Sequence, residues 1–366
     1  MQKRRSAELR SLGEDAYFVA SNSARGFCSY YGDCFDDARI KQVYVIKGGP
    51  GTGKSRFMRE VSDCAISHGW QRCMIYCSSD ADSLDGVILR RGSISIALLD
   101  GTSPHVYEPQ MPGVREELIN LGDFWNGEML RERSEEIARY QREKADGYRR
   151  AYRYLAAFGE VYQSRSEKLF PYIRKKAISD CAAKLMHAIP DESTFEARMA
   201  LMESVGMGGV IRFDTYAAQA KRLYLIGDCR GTGKYLMDEL YRLSMEKRLR
   251  VRLSRDPILP DVIDGLFLVG SGVAFVIGDE NSCEYAHQNI SMRRFLKVAD
   301  MKSVRSSVNF DQRMLDALLG ETLEQMQVVK RAHFELERIY SSAMNFEEKE
   351  EFTKKFCNRL FDLQNS

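Results

Sequence analysis

Gly48-Gly49-Pro50-Gly51-Thr52-Gly53-Lys54-Ser55 follows the apolar run Val43-Tyr44-Val45-Ile46 and opens a helix-like segment. The pattern is G-x-x-x-x-G-K-S between a strand and a helix, and each position has a physical use around a phosphate chain. Glycines let the backbone turn at positive φ and approach a ligand with no Cβ in the way. Successive N–H groups form an anion nest, reinforced by the positive end of the following helix. Lys54 is placed to reach the β- and γ-phosphates, and the Ser55 hydroxyl to ligate Mg²⁺. The expectation is a nucleoside triphosphate site, with ATP and Mg²⁺ as the cofactors.

Outward from this loop, the chain is written twice. Leu223-Tyr224-Leu225-Ile226 precedes Gly227-Asp228-Cys229-Arg230-Gly231-Thr232-Gly233-Lys234-Tyr235, which overlays the first loop at an offset of about 180 residues. Asp85-Gly86-Val87 then falls on Asp264-Gly265-Leu266, and the strand ending in Asp100 falls on the one ending in Asp279. Leu121-Gly122-Asp123 falls on Val298-Ala299-Asp300. Each copy continues into helical periodicity. Ile137, Tyr140, Tyr148, Tyr152, Leu155, Phe158 and Tyr162 share one face that Lys144 interrupts, and Leu315, Leu318, Met326, Val329, Leu336 and Tyr340 line the matching one. A shorter helix is expected over 172–188, and another over 347–363.

The fold expected is therefore α/β, with two tandem P-loop NTPase-like domains from an internal duplication. Each has a parallel-sheet core and a C-terminal helical arm: first core 1–128, arm 129–190, second and degenerate core 191–311, arm 312–366. A chain of 366 residues agrees with more than one core. Only three obvious strands per copy are legible, so residues 27–31 and 210–213 are candidates for more.

The copies differ where chemistry is concerned. In the first, Asp100 ends an apolar strand and is the candidate acid for the Mg²⁺ shell, with a turn-capping carboxylate as the alternative. Asp80 and His105 sit beyond neighbouring strand ends, where ligands of open α/β sheets bind, and are candidate bases or water-positioners. In the second, Tyr235 replaces Ser55, and Asp228 and Cys229 replace Gly48 and Gly49. A carboxylate there repels a phosphate, so this loop is expected to bind nucleotide weakly or not at all. Arg230 is a candidate arginine finger toward the first site.

Composition narrows the setting. With 44% hydrophobic and 29% charged residues and a net charge of +2, the chain has the balance of a soluble protein and no strong pull toward nucleic acid. Arg149-Arg150 and Arg174-Lys175-Lys176 read as solvated helix faces first and nucleic-acid contacts second. No membrane span and no secretory signal is expected, and nine cysteines without a framework suggest reduced thiols in the cytoplasm. Cys73 and Cys77 read as core thiols rather than metal ligands.

No N-K-x-D motif follows the first loop and no L-S-G-G-Q signature occurs, which sets aside GTPases and ABC subunits. The sequence resembles a bacterial family of tandem P-loop ATPases within the P-loop containing nucleoside triphosphate hydrolase superfamily. The resemblance lies in Gly26-Phe27 with Tyr30, Lys47 through Ser55, Ser83-Leu84-Asp85-Gly86-Val87 and Asp100-Gly101-Thr102-Ser103-Pro104-His105. It covers the first copy well and the second poorly, and it implies an intracellular nucleotide-binding protein without naming a substrate. Three functions follow as expectations. The first is an ATPase that moves its arms against a macromolecular partner, the second a small-molecule kinase, the third a non-hydrolysing nucleotide sensor.

Overall fold

The computed structural model describes residues 7–12, 15–104, 107–278 and 286–362. Strands β1 (Asp15–Phe18), β2 (Ile40–Lys47), β3 (Gln71–Tyr76), β4 (Leu84–Arg91), β5 (Ile94–Asp100) and β6 (Glu116–Asn120) form a sheet, with helix α1 (Lys54–Ser67) between β2 and β3. Helices α2 (Ser134–Leu169) and α3 (Lys175–Met186) follow. Strands β7 (Glu196–Met199), β8 (Arg222–Gly227), β9 (Arg250–Arg255), β10 (Ile263–Leu268), β11 (Val273–Gly278) and β12 (Gln288–Ser291) form a second sheet, with α4 (Gly233–Glu246) between β8 and β9. Helices α5 (Arg305–Ser342) and α6 (Phe346–Asp362) close the chain.

The two sheets repeat one strand order, β1-β3-β4-β5-β2-β6 and β7-β9-β10-β11-β8-β12. Neither is purely parallel. β4 runs antiparallel to β3 and β5, and β10 antiparallel to β9 and β11. The cause is local: a short Gly92 turn returns β4 straight into β5, and hairpin partners are necessarily antiparallel. The interior strand β2, flanked by β5 and β6, is apolar on both faces; Val43, Val45 and Ile46 are fully buried. The extra strands anticipated near 27–31 and 210–213 exist but join small separate sheets, one pairing Ala20–Ser23 with Gly26–Ser29 and one of three strands containing Gly209–Phe213.

Strand register corrects two of the sequence overlays. Ile46 pairs with Asp100 in the first sheet, and its counterpart Ile226 pairs with Ile277 in the second. Ile277, not Asp279, therefore occupies the position of Asp100; Asp279 itself lies outside the described residues. Likewise Lys47 pairs with Asn120 and Gly227 with Ser291, so Leu121 corresponds to Met292 rather than Val298.

The compact units cut across the domain boundaries read from the sequence. Unit I comprises Glu14–Ala20, Ser29–Arg150 and Glu324–Ser366; unit II comprises Met1–Gly13, Ser21–Cys28 and Ala151–Leu323. Each long helix thus belongs to one unit at its start and to the other at its end. In unit I, α6 of the second arm packs on α1 of the first loop, with Phe356 against Tyr44 and Phe57. In unit II, Leu169, Ile173, Ile178, Ala182 and Met186 of the first arm share one core with Ile226, Leu236, Leu240 and Phe275. Burying such side chains is worth about 1.5–3 kcal/mol each, so the arms are structural parts of the cores they join.

The docking bonds match between units. In unit I, Asn126 N donates to Ala343 O (2.7 Å) and Asn345 N to Phe124 O (2.7 Å); in unit II, Lys297 N donates to Tyr172 O (2.9 Å) and Arg174 N to Phe295 O (2.9 Å). Residues 124–126 correspond to 295–297, and 343–345 to 172–174. The same constant spacing maps the start of α2 onto the start of α5.

Candidate functional site

The first loop leaves β2 and turns through two left-handed glycines, Gly51 (φ 71°) and Gly53 (φ 80°), the latter capping α1. Thr52, fully buried, ties the loop by donating from Oγ1 to Gly49 O (2.9 Å). Lys54 Nζ folds back over the loop and donates to the carbonyls of Gly48 (3.0 Å) and Gly49 (2.8 Å). It also stands 3.6 Å from Asp100 Oδ2. An ammonium held among carbonyls at a helix N-terminus, with a carboxylate across from it, supplies the kinds of group that a phosphate and its cation would use.

Asp100 takes the turn-capping role on one oxygen and turns the other toward the loop lysine. Oδ1 accepts from Thr102 N (2.8 Å) and Thr102 Oγ1, capping the turn, while Oδ2 faces Lys54. Ser55 Oγ accepts from Leu84 N (3.0 Å), which fixes the hydroxyl at the start of β4, on the same sheet edge. Ser55 and Asp100 are the two oxygen donors suited to hold Mg²⁺ beside phosphate oxygens and water. Asp80 is committed locally: its carboxylate accepts from Asp82 N (3.3 Å) and Ser83 Oγ (2.7 Å). His105 lies outside the described residues. Cys73 is buried in β3 as read, whereas Cys77, just past the strand end, is half-buried; desolvation, with the Asp85 charge behind it, pushes its thiol well up.

The arm that docks in unit I brings polar side chains that sequence motifs do not flag. His333, Glu337, Tyr340 and Ser341 recur at helical spacing on α5. Ser341 Oγ donates to Gly51 O (3.0 Å), and a Cβ on Gly51 would meet Glu337 O at 2.5 Å. A Cβ on Gly49 would meet the Tyr340 ring at 2.9 Å, so the glycines here serve helix docking as well as loop geometry. Lys144 of α2 donates to His333 Nδ1 (3.1 Å), and His333 Nε2 faces Glu337 Oε1 at 3.5 Å. Burial lowers the Lys144 ammonium from its ordinary value, and the Lys54 charge lowers it further. His333 first, then Lys144 and Lys54, hold the Glu337 carboxyl below its usual range. Lys349 of α6, fully buried, pairs with Glu60 (3.3 Å). The signal available in the sequence was Lys144 itself, a charge interrupting an apolar face.

The second loop is built differently. The Asp228 carboxylate lies inside the turn and accepts from Gly231 N (2.8 Å) and Gly233 N (2.7 Å). It takes up backbone donors of the kind a phosphate would use. Arg230 adopts positive φ (61°), Gly233 is already helical, and α4 starts one residue earlier than α1 does. Lys234 Nζ donates to Ser166 Oγ (3.2 Å) and lies over the Tyr162 and Tyr235 rings. Burial lowers its pKa. Ile277 stands where Asp100 stands in the first sheet. The position of Arg230 is set within unit II, where its charge bears on Arg165.

No protein-family model, curated protein or solved structure matches the chain. No helix among the described residues is long and apolar enough to cross a membrane.

Proposed function

We propose that this chain is a duplicated P-loop protein that binds ATP with Mg²⁺ at the loop of residues 48–55 and hydrolyses it there. The observation that carries the reading is the loop itself: Lys54 bonded to the Gly48 and Gly49 carbonyls, 3.6 Å from the strand-end carboxylate of Asp100, at the N-terminus of α1. Lys54 and the loop N–H groups would bind the phosphates, and Ser55 and Asp100 the Mg²⁺, whose charge offsets that developing on the transferred phosphoryl group. The second loop is read as a degenerate copy kept for architecture. It lacks the hydroxyl of Ser55 and the carboxylate of Asp100, and its own Asp228 holds the nest. Repetition of strand order and arm docking supports descent of both units from one P-loop domain.

The kinase reading is the weaker of the two enzymatic ones, because Asp80, its candidate base, already accepts from Asp82 and Ser83. Free thiols at the eight described cysteines agree with a cytoplasmic setting. The arms, long enough to belong to both units, are the proposed link to a macromolecular partner. The test is phosphate release from ATP by wild type, Lys54→Ala and Lys234→Ala. Activity lost in Lys54→Ala and kept in Lys234→Ala is expected. The reverse pattern, or no nucleotide binding by wild type, overturns the reading. ADP formed without free phosphate, only when an acceptor mixture is added, favours the kinase.

A further inference from the structure

Phosphoryl transfer needs positive charge on the γ-phosphate side beyond the loop lysine, because charge spreads over the three equatorial oxygens as the bond to the leaving group loosens. Motifs in the first copy offer no such group. The arm helices do. Lys144 and Tyr148, one turn apart on α2, lie on the side where β3 ends. Tyr148 hydrogen-bonds Ser79, just past the end of β3, and Lys144 bonds His333, one helical turn from Glu337, whose carbonyl stands over Gly51 of the loop. Ser79 belongs to the carboxyl edge of the sheet, which also carries Asp100 and the loop, and this edge is where ligands of such sheets bind.

We propose that Lys144 is a second phosphate-binding cation of the first site, supplied by the arm and positioned by His333 and Glu337 to contact the γ-phosphate. The proposal rests on nucleotide binding at the first loop. Among the described residues, the hydrogen-bond acceptor of the Lys144 ammonium is one imidazole nitrogen, His333 Nδ1. That leaves two of its three donors for a ligand. With the ammonium donating to Nδ1, the other ring nitrogen, Nε2, faces Glu337, and this chain of contacts orients the ammonium without setting a carboxylate directly against it. A purely structural ion pair would set the carboxylate against the ammonium instead.

The twin site supplies the control. At the corresponding helix positions Lys144 becomes Leu315, His333 becomes Tyr162, Glu337 becomes Ser166, and Lys349 becomes Ile178. Leu315 and Ile178 are buried apolar side chains there. Packing of the arms therefore needs no charge at these positions. The charges occur only beside the loop that keeps Ser55 and Asp100.

The experiment compares equilibrium binding of a non-hydrolysable ATP analogue and of ADP, both with Mg²⁺, to the full-length chain. Wild type is expected to prefer the triphosphate. Lys144→Leu should weaken triphosphate binding about tenfold and leave ADP within about twofold, and Lys144→Arg should restore most of the preference. Leucine is chosen because the twin position carries it; Lys144→Met serves if that variant does not fold. An unchanged triphosphate-to-diphosphate ratio in the neutral variant, or equal affinities in wild type, overturns the proposal. Binding of neither nucleotide by wild type, or binding indifferent to Lys54→Ala, instead overturns the assignment of the first loop.

Discussion

Removing Asp228 should convert a self-occupied loop into an open anion site, and the size of the effect follows from two bonds. The carboxylate accepts from Gly231 N at 2.8 Å and Gly233 N at 2.7 Å. A hydrogen bond to a charged group contributes roughly 1.5–3 kcal/mol, and the partial exposure of Asp228 favours the low end of that range. Asp228→Ala should therefore cost about 3 kcal/mol, much of it from two N–H groups left without an acceptor. Inorganic phosphate should then return part of the loss. At ten times its dissociation constant it adds about 1.4 kcal/mol. The assay is urea denaturation with and without phosphate at fixed ionic strength, in a Lys54→Ala background that silences the first site. Asp228→Asn should fall between the two, since its amide keeps one acceptor and turns a donor toward the second N–H. A variant as stable as its parent, or phosphate stabilising both equally, would refute the idea that Asp228 stands in for a bound anion.

Two further outcomes follow from the docked arm. Gly51→Ala combines positive φ with a Cβ 2.5 Å from Glu337 O, so chemical denaturation should show a loss of about 2–5 kcal/mol. Gly69→Ala, also at positive φ but facing open space, should lose only the backbone share, about 1–2 kcal/mol, which separates strain from docking. Glu337 titrates below its ordinary range in the fold, so the unfolded chain binds protons more readily and stability rises with pH through that window. Its contribution is complete above the ordinary carboxyl pKa and is lost as pH falls through the lowered one. Glu337→Gln should cost under about 1 kcal/mol near neutrality, with screening allowed for, and nothing in strong acid; melts across pH 2–7 test this.

What could be read from residues alone was the part governed by local backbone chemistry. Glycine, lysine and serine at fixed spacing after an apolar strand define the first loop, and apolar periodicity marks the four arm helices, although α2 runs on to Leu169 and α5 begins at Arg305, ahead of the arm boundary at 312. Overlaying Asp100 on Asp279 failed for a topological reason. The hairpin of β10 and β11 is two residues shorter from Gly265 to its partner Val276 than that of β4 and β5 from Gly86 to its partner Leu99, and only strand pairing reveals the gap. Periodicity also identified the buried face of each arm without saying which core buries it. Helical patterns record that a face is covered, and the covering partner is a property of tertiary contacts. The same limit hid the role of Asp228: its charge argued against phosphate, but only geometry shows that the carboxylate turns inward and satisfies the loop. Lys144 looked like a flaw in an apolar stripe, because its partners His333 and Glu337 are nearly two hundred residues away in sequence.

The two units share their docking bonds and differ in their chemistry, and this separates what each half of the loop–arm arrangement is for. Asn126 N to Ala343 O in unit I and Lys297 N to Tyr172 O in unit II are equivalent, although only the first stands beside a loop with Ser55 and Asp100. Arm docking therefore does not depend on the serine and aspartate that only the first loop region carries. Yet in unit I the docked helix meets the loop directly, through Ser341 on Gly51 and Tyr340 against Gly49. Any movement of that loop on filling its nest must be accommodated by α5, since a packed interface has little slack. In unit II the nest is already held by Asp228, so the corresponding helix end rests on a loop with no reason to move. One arm thus ends on a loop whose lysine bonds to its own carbonyls and the other on a loop held by its own carboxylate. On the reading proposed above, hydrolysis at the first loop would be felt by the helix end docked on it, while the second loop stays held by Asp228.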